Sequence, residues 1–277
     1  MTIDPYGTRP SRELEALEAK VPASLWEFVE LLVLLKGREN FIDWPSWCFL
    51  PMSGWYELGE KFLSDTTKFP EIINPTCYIS ALGTWRYSRG YYIFDDDLYD
   101  ELTMSQYDGA MPSSALLRLP EYCLYVNTPW GIQFFGSASH GFWMHLEYEP
   151  TSPHNSELRI LIDHGDKIFV PITIRIGNWS IGAAVDKSVR SATRPTTKKT
   201  MREFKELFEP SQVREMSESM SHYLQSVMPL VLHLCGDRKN LTDRSVPHGE
   251  RPEPNDAQKH QELMVPKPRI WHAGNNK

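Results

Sequence analysis

Four short apolar segments in the middle of the chain constrain its fold more than any other feature. They cover residues 123–126, 141–148, 157–162 and 168–176, and Gly, Pro, Asn or Asp residues separate them. Each is rich in β-branched and aromatic residues, a composition typical of β-strands, and short connections favour antiparallel neighbours. The sequence therefore predicts a central antiparallel sheet of about four strands.

The regions on either side of these segments show helical spacing instead. Before them, Leu25, Val29 and Leu32 recur at intervals of three and four, and further helices are predicted up to residue 120. After them, the same spacing predicts a long helix over 211–234, with a kink at Pro229. This order along the chain, with helices first, strands next and a long helix last, predicts an α+β fold that ends in an irregular tail.

Composition divides the chain of 277 residues into three parts. Residues 1–22 are mostly polar and are predicted to form a flexible N-terminal arm. Residues 23–235 are predicted to form a single α+β domain, which is large enough to need no disulfide or metal for stability. Residues 236–277 form a polar, proline-rich tail, in which we expect only Pro266–Trp271 to dock onto the domain.

The cysteines and the apolar stretches indicate a cytoplasmic protein. No pair of cysteines has the spacing of a metal site, so we expect reduced thiols and no cofactor. The first residues lack the basic start and apolar run of a signal peptide. The longest apolar stretch, Leu31–Leu35, is far shorter than the roughly 20 residues that span a bilayer, so we expect no membrane partner. The four cysteines are Cys48, Cys77, Cys123 and Cys235.

Two His–acid pairs are the best candidates for chemistry. His145 and Glu147 are two residues apart on one predicted strand, so they share a face of the sheet. Asp163 and His164 end the next strand, and together the four side chains could assist a metal-dependent hydrolysis. Scattered polar residues on an exposed sheet face are common, however, and no other catalytic motif accompanies them. We therefore expect no enzymatic activity and keep a metal-assisted hydrolase as an alternative.

A basic stretch near residues 187–202 could contact RNA or the ribosome through phosphate groups. The net charge of the whole chain is −7, which argues against a dedicated nucleic-acid binder. A solvated connector and an RNA-contacting regulator both remain open. The basic residues of the stretch are Lys187, Arg190, Arg194, Lys198, Lys199 and Arg202.

Aromatic residues cluster in two places and can either fill a core or form a recognition pocket. Trp44 and Trp47 lie in the first cluster, and Trp85, Arg86 and Tyr87 lie in the second. An arginine among aromatic rings can stack on them or bind a carboxylate or carbonyl group. Core filling accounts for most of the tryptophans, and a peptide-binding pocket is the functional alternative.

Five strings of residues, taken in order, resemble a family of proteins carried by plasmids and phages that includes a type V-A anti-CRISPR protein. The resemblance covers about residues 25–235 and a short piece near the end. Each string alone has low specificity, whereas five in the same order are more specific. The strings are Asp43–Met52, Ala81–Ser88, Leu119–Val126, Gly141–Glu147 and Pro268–Trp271.

The resemblance implies a non-enzymatic regulator that lowers the amount of a CRISPR effector nuclease. Such a protein would recognise the nascent N-terminal peptide of a type V-A nuclease and cause loss of its messenger RNA. The implied partner is the nascent polypeptide, with the ribosome or the messenger RNA as a further candidate.

For such a protein, we expect the peptide to bind where the aromatic strings meet the sheet. Chemistry alone suggests the individual roles. Apolar contacts and a cation would come from Trp85, Arg86 and Tyr87. A polar sheet face for the peptide backbone would come from Trp143, His145 and Glu147, and the walls of the pocket from Trp44 and Trp47.

Overall fold

The protein is described from a computed structural model. The described residues are 4–62, 75–148, 156–164, 169–193, 210–236, 241–243 and 265–274.

A mixed sheet of seven strands forms the centre of the molecule, in the order β5-β4-β3-β2-β1-β7-β6. Strands β2 to β5 form the predicted antiparallel meander. Strand β1 is parallel to both β2 and β7, and β6 is antiparallel to β7. The strands are β1 (Gly90–Phe94), β2 (Cys123–Phe134), β3 (Ser137–Tyr148), β4 (Ser156–Asp163), β5 (Phe169–Ile176), β6 (Leu241–Asp243) and β7 (Arg269–Ala273).

The prediction of about four antiparallel strands was therefore incomplete. It missed that β1 pairs with a strand near the end of the chain. A parallel pair between residues so distant in sequence leaves no local pattern of hydrophobicity or turn residues.

Helices cover both faces of this sheet. On one face α4 contacts β2, β3 and β4, α1 and α3 pack on α4, and α2 packs on α3. On the other face lie α5, α6, α7 and a 3-10 helix. The helices are α1 (Arg9–Glu18), α2 (Ala23–Leu35), α3 (Met52–Phe62), α4 (Pro75–Trp85), α5 (Asp96–Met104), the 3-10 helix (Ser113–Arg118), α6 (Ile181–Thr193) and α7 (Pro210–Leu234). None of the helices in these ranges is both long and apolar enough to cross a membrane.

Alternation along β3 gives the protein two hydrophobic cores. Phe142 and Met144 point into the core shared with α6 and α7, whereas Trp143 points into the core shared with α1 to α4. Successive side chains of a strand point to opposite faces, and here both faces are apolar and buried. The long helix α7 confirms the prediction for 211–234 and contains Pro229.

The N-terminal residues include a packed helix rather than only a flexible arm. Leu14 and Leu17 of α1 are buried in the second core. Arg9 forms two hydrogen bonds with the fully buried carboxylate of Asp163, one of them at 2.8 Å from Nη2 to Oδ1. The Tyr125 hydroxyl donates to the same carboxylate at 3.1 Å. The prediction of a flexible arm at 1–22 is therefore corrected, because α1 within it packs on the domain. Its amphipathic pattern is short but sufficient for docking.

Part of the predicted tail belongs to the sheet. Strand β7 lies between β1 and β6, and its Trp271 ring stacks on Tyr92 with centroids 6.1 Å apart. The backbone N–H of Asp95 donates to the Ala273 carbonyl at 2.9 Å. Docking of the segment ending at Trp271 is thus confirmed. Residues 237–240, 244–264 and 275–277 of the tail lie outside the described residues.

The Arg9–Asp163 pair gives a testable prediction. Arg9→Ala leaves a buried carboxylate without its cation, so we expect the free energy of unfolding in urea to fall by about 3 kcal/mol. Arg12→Ala, on the exposed side of the same helix, should cost less than about 1 kcal/mol. Adding Asp163→Asn to Arg9→Ala should recover part of the loss, because the charge is removed. Equal losses for the two arginine variants would contradict the role assigned to the pair.

Candidate recognition site

Helix α4 positions Trp85 and is buried along nearly its whole length. A Cβ atom at Gly83 would overlap the ring of Trp55, so this glycine allows α3 to approach α4 closely. The Trp85 indole N–H donates to the Gly90 carbonyl at 2.9 Å. Trp85 is therefore a fully buried link between α4 and β1 and offers no surface to a peptide.

Arg86 and Tyr87 follow α4 and face two carboxylates from the N-terminal helices. The Arg86 guanidinium donates to Glu18 at 2.9 Å and lies 3.5 Å from Glu30. It also lies 5.0 Å from the ring centroids of Trp26 and Tyr87. The cation predicted to bind a peptide is thus engaged within the protein, where it joins α1, α2 and the end of α4.

Tyr87 completes the same polar cluster. Its hydroxyl donates to Glu30 at 2.9 Å, and its ring stacks on Phe49 with centroids 4.8 Å apart. Burial raises the pKa of Tyr87, so the phenol stays protonated and remains a donor. These contacts assign Tyr87 to the packing between the 36–51 loop and α4.

Trp44 and Trp47 hold the loop between α2 and α3. The Trp44 indole N–H donates to the carbonyl groups of Cys48 and Phe49 at 3.1 and 3.2 Å. The Lys36 ammonium lies 5.3 Å from the Trp44 ring centroid, and burial lowers the pKa of Lys36. Trp47, which is half-buried, meets Tyr148 edge-on at 6.1 Å.

The face of β3 that carries Trp143, His145 and Glu147 is buried and not open as expected. Trp143 is fully enclosed and meets the Tyr125 ring edge-on at 4.7 Å. His145 Nε2 lies 2.9 Å from a Glu147 oxygen, and both side chains are only 2% exposed. The expectation failed because helices cover both faces of the sheet, which alternation along a single strand does not reveal.

The structure therefore brings the eight predicted peptide-binding residues into one layer, where they pack against other parts of the protein. In the described part of the chain they lie between the sheet and α1 to α4 or in the loop before α3, and Trp44 also lines a pocket beside α2. Arg86 and Trp47 alone among the eight keep an intermediate exposure.

The four residues of the alternative hydrolase do not converge. His145 on β3 lies opposite Arg159 on β4 in the strand register. Asp163 lies four residues further along β4, about 13 Å from Arg159. His164 instead packs edge-on against Phe134 at 5.8 Å, next to the other core. Within the described ranges, no group of His, Cys, Asp or Glu side chains is arranged to hold a metal ion.

Two of the predicted RNA-contacting residues can be placed. Lys187 and Arg190 lie on α6, where the Lys187 ammonium is 4.6 Å from the Trp179 ring centroid. Arg190 is on the exposed side of this helix. Arg194, Lys198, Lys199 and Arg202 lie outside the described residues, so the RNA contact stays a prediction.

An open apolar surface on α2 and α3 was missed by the sequence reasoning. It consists of large side chains that are between 36% and 59% exposed, and we call it the α2–α3 surface. The available signal was the composition of α2, which is apolar almost all round although a helix of the outer layer needs only one apolar side. The surface consists of Phe28, Leu31 and Leu34 of α2 and Ile42 of the loop that leads to α3.

The contacts of Arg86 predict a structural effect of its removal. Arg86→Ala separates Glu18 and Glu30, which are about one third exposed, from a shared cation that is only 16% exposed. We therefore expect a loss of about 1–2 kcal/mol in unfolding free energy. Arg214→Ala is the matched control, because Arg214 makes a 3.0 Å pair with Glu218 while 79% exposed. That variant should lose less than about 0.5 kcal/mol in the same urea titration. A smaller loss for Arg86→Ala than for Arg214→Ala would rule out this structural role.

Comparison with known proteins places the chain in a family. A crystal structure of AcrVA2 matches with a TM-score of 0.62 and 17% sequence identity, and the match covers 99% of this chain and 85% of that chain. At this identity the match shows a shared fold. No curated protein matches the sequence. The model of the AcrVA2-like family, described as the anti-CRISPR type V subtype A2 family, matches residues 92–277. The chain therefore belongs to the AcrVA2-like family of anti-CRISPR proteins.

Proposed function

We propose that this protein recognises the nascent N-terminal peptide of a type V-A CRISPR nuclease and thereby lowers the messenger RNA of that nuclease. The observation that carries the proposal is membership of the anti-CRISPR type V subtype A2 family over residues 92–277. Family membership supports an anti-CRISPR function, and the route through the nascent peptide is our proposal.

The arrangement of polar groups supports recognition rather than catalysis. His145 is bound to Glu147, and Asp163 is bound to Arg9 and Tyr125, so each acidic group has a partner within the fold. A catalytic site needs its acid, base and nucleophile within reach of one substrate position, and these pairs lie apart. We therefore propose a protein that acts through binding, without a cofactor and in the cytoplasm.

Co-expression with a type V-A nuclease tests the proposal. Three coding sequences of the nuclease should be compared. The first is the natural one, and the second has synonymous first codons. The third carries a frameshift after the start codon that is reversed a few codons later. The second keeps the peptide and changes the RNA, whereas the third keeps most of the RNA and changes the peptide. We expect nuclease messenger RNA and protein to fall severalfold for the first two and to stay constant for the third.

The alternatives give different results in the same experiment. Loss that follows the RNA sequence and ignores the peptide would favour the RNA-contacting regulator. Unchanged messenger RNA and protein for all three coding sequences would contradict the proposed function.

A further inference from the structure

The outward side of α2 is apolar and open, although the opposite side already packs into the core. Leu25, Trp26 and Val29 are the buried residues of this helix. Leu31 and Leu34 lie one helical turn apart on the outer side and are 48% and 46% exposed. Large apolar groups grouped on one surface, rather than scattered singly, mark interaction sites.

Neighbouring side chains extend this apolar side into a continuous surface. The Phe28 ring lies 5.6 Å from Phe62 at the end of α3. Ile42 of the following loop is the most exposed member, at 59%. A pocket of about 80 Å³ opens beside it, several times the space that one water molecule needs. The pocket is lined by Leu32, Phe41, Ile42, Trp44, Leu50, Pro51, Ser53, Gly54 and Glu57.

The charges around the surface are mainly acidic. Residues 23–62 contain six carboxylates and three cations, and one of these carboxylates, Glu30, is already bound to Arg86 and Tyr87. Two of the cations lie against aromatic rings: Lys61 is 3.6 Å from the Phe28 ring centroid, and Lys36 lies over Trp44 and donates to the Pro45 carbonyl. Exposed carboxylates remain at the rim of the surface, on Glu27, Glu57 and Glu60.

We propose that the α2–α3 surface binds an apolar peptide segment flanked by basic residues, with one apolar side chain of the peptide in the pocket. An amphipathic helix that lays its apolar side into a groove is a common way to bind such a peptide. The acidic rim selects basic flanks through charge complementarity. A second copy of this chain fits less well, because a two-fold interface would bring the same acidic rims together.

This assignment rests on the proposed function, since it locates the binding of the nascent peptide. It moves that binding from the aromatic residues that fill the core to the open surface beside them. Trp44 connects the two, because it packs in the core and also lines the pocket.

The test uses the full chain and a labelled synthetic peptide with the first residues of a type V-A nuclease, measured by fluorescence anisotropy. We expect Leu31→Ser with Leu34→Ser to weaken binding at least about tenfold, as for central apolar contacts of an interface. Met104→Ser is the matched control: it also removes an apolar side chain, 84% exposed on α5, and should change affinity less than about twofold. Circular dichroism and thermal melting check that each variant is folded, and Ile42→Ser provides a second variant in a loop.

The acidic rim gives an independent readout. Affinity of the unaltered protein for the peptide should fall as the salt concentration rises, because ions screen the attraction. Glu57→Gln with Glu60→Gln should weaken binding at low salt and flatten this salt dependence.

The outcomes separate this assignment from the proposed function. Binding that Leu31→Ser with Leu34→Ser leaves unchanged would overturn the assignment and leave peptide recognition intact. Absence of peptide binding by the unaltered protein would overturn both. A dimer in light scattering that the same double variant dissociates would show that a second copy covers the surface, which also overturns the assignment. Peptide binding that depends on this surface, without loss of messenger RNA in cells, would support the assignment and refute the proposed function.

Discussion

The central meander has apolar side chains on both faces, and this constraint determines the rest of the architecture. Because neighbouring residues of a strand point to opposite faces, Phe142 and Trp143 need separate cores. Helices α5 to α7 cover the first core and α4 covers the second. The buried Asp163 carboxylate, bound by Arg9 and Tyr125, then fixes α1 against the covered sheet. The N-terminal helices are thus part of the fold.

Local patterns in the sequence were sufficient for the parts of the fold that depend on neighbouring residues. A β-branched and aromatic composition between turn residues located the meander, and three–four spacing located α7. The parallel pairing of β1 with β7 depends on residues about 180 positions apart, and no local signal records it. The same limit explains why this sheet face was expected to be open. The alternation placed His145 and Glu147 on one face correctly, but only the position of α4 shows that this face is buried.

Burial also changes how the aromatic residues are understood. Trp85 and Trp143 stabilise the second core, and Arg86 is neutralised by carboxylates from α1 and α2. What remains open is the neighbouring α2–α3 surface, where apolar groups face solvent and acidic groups surround them. It lies before residues 92–277, the part of the chain that the family model matches. Under our proposal, recognition and scaffold occupy different parts of one fold.

Hydrogen–deuterium exchange, with and without the nuclease peptide, tests this division of roles most directly. The account predicts slower exchange on peptide addition in α2, α3 and the loop between them, because a bound peptide shields these amides and restricts local opening. Exchange in β2 and β3 should stay the same. Slower exchange confined to β2 and β3, with no change in residues 23–62, would contradict the account and return the binding site to the aromatic residues beneath α4.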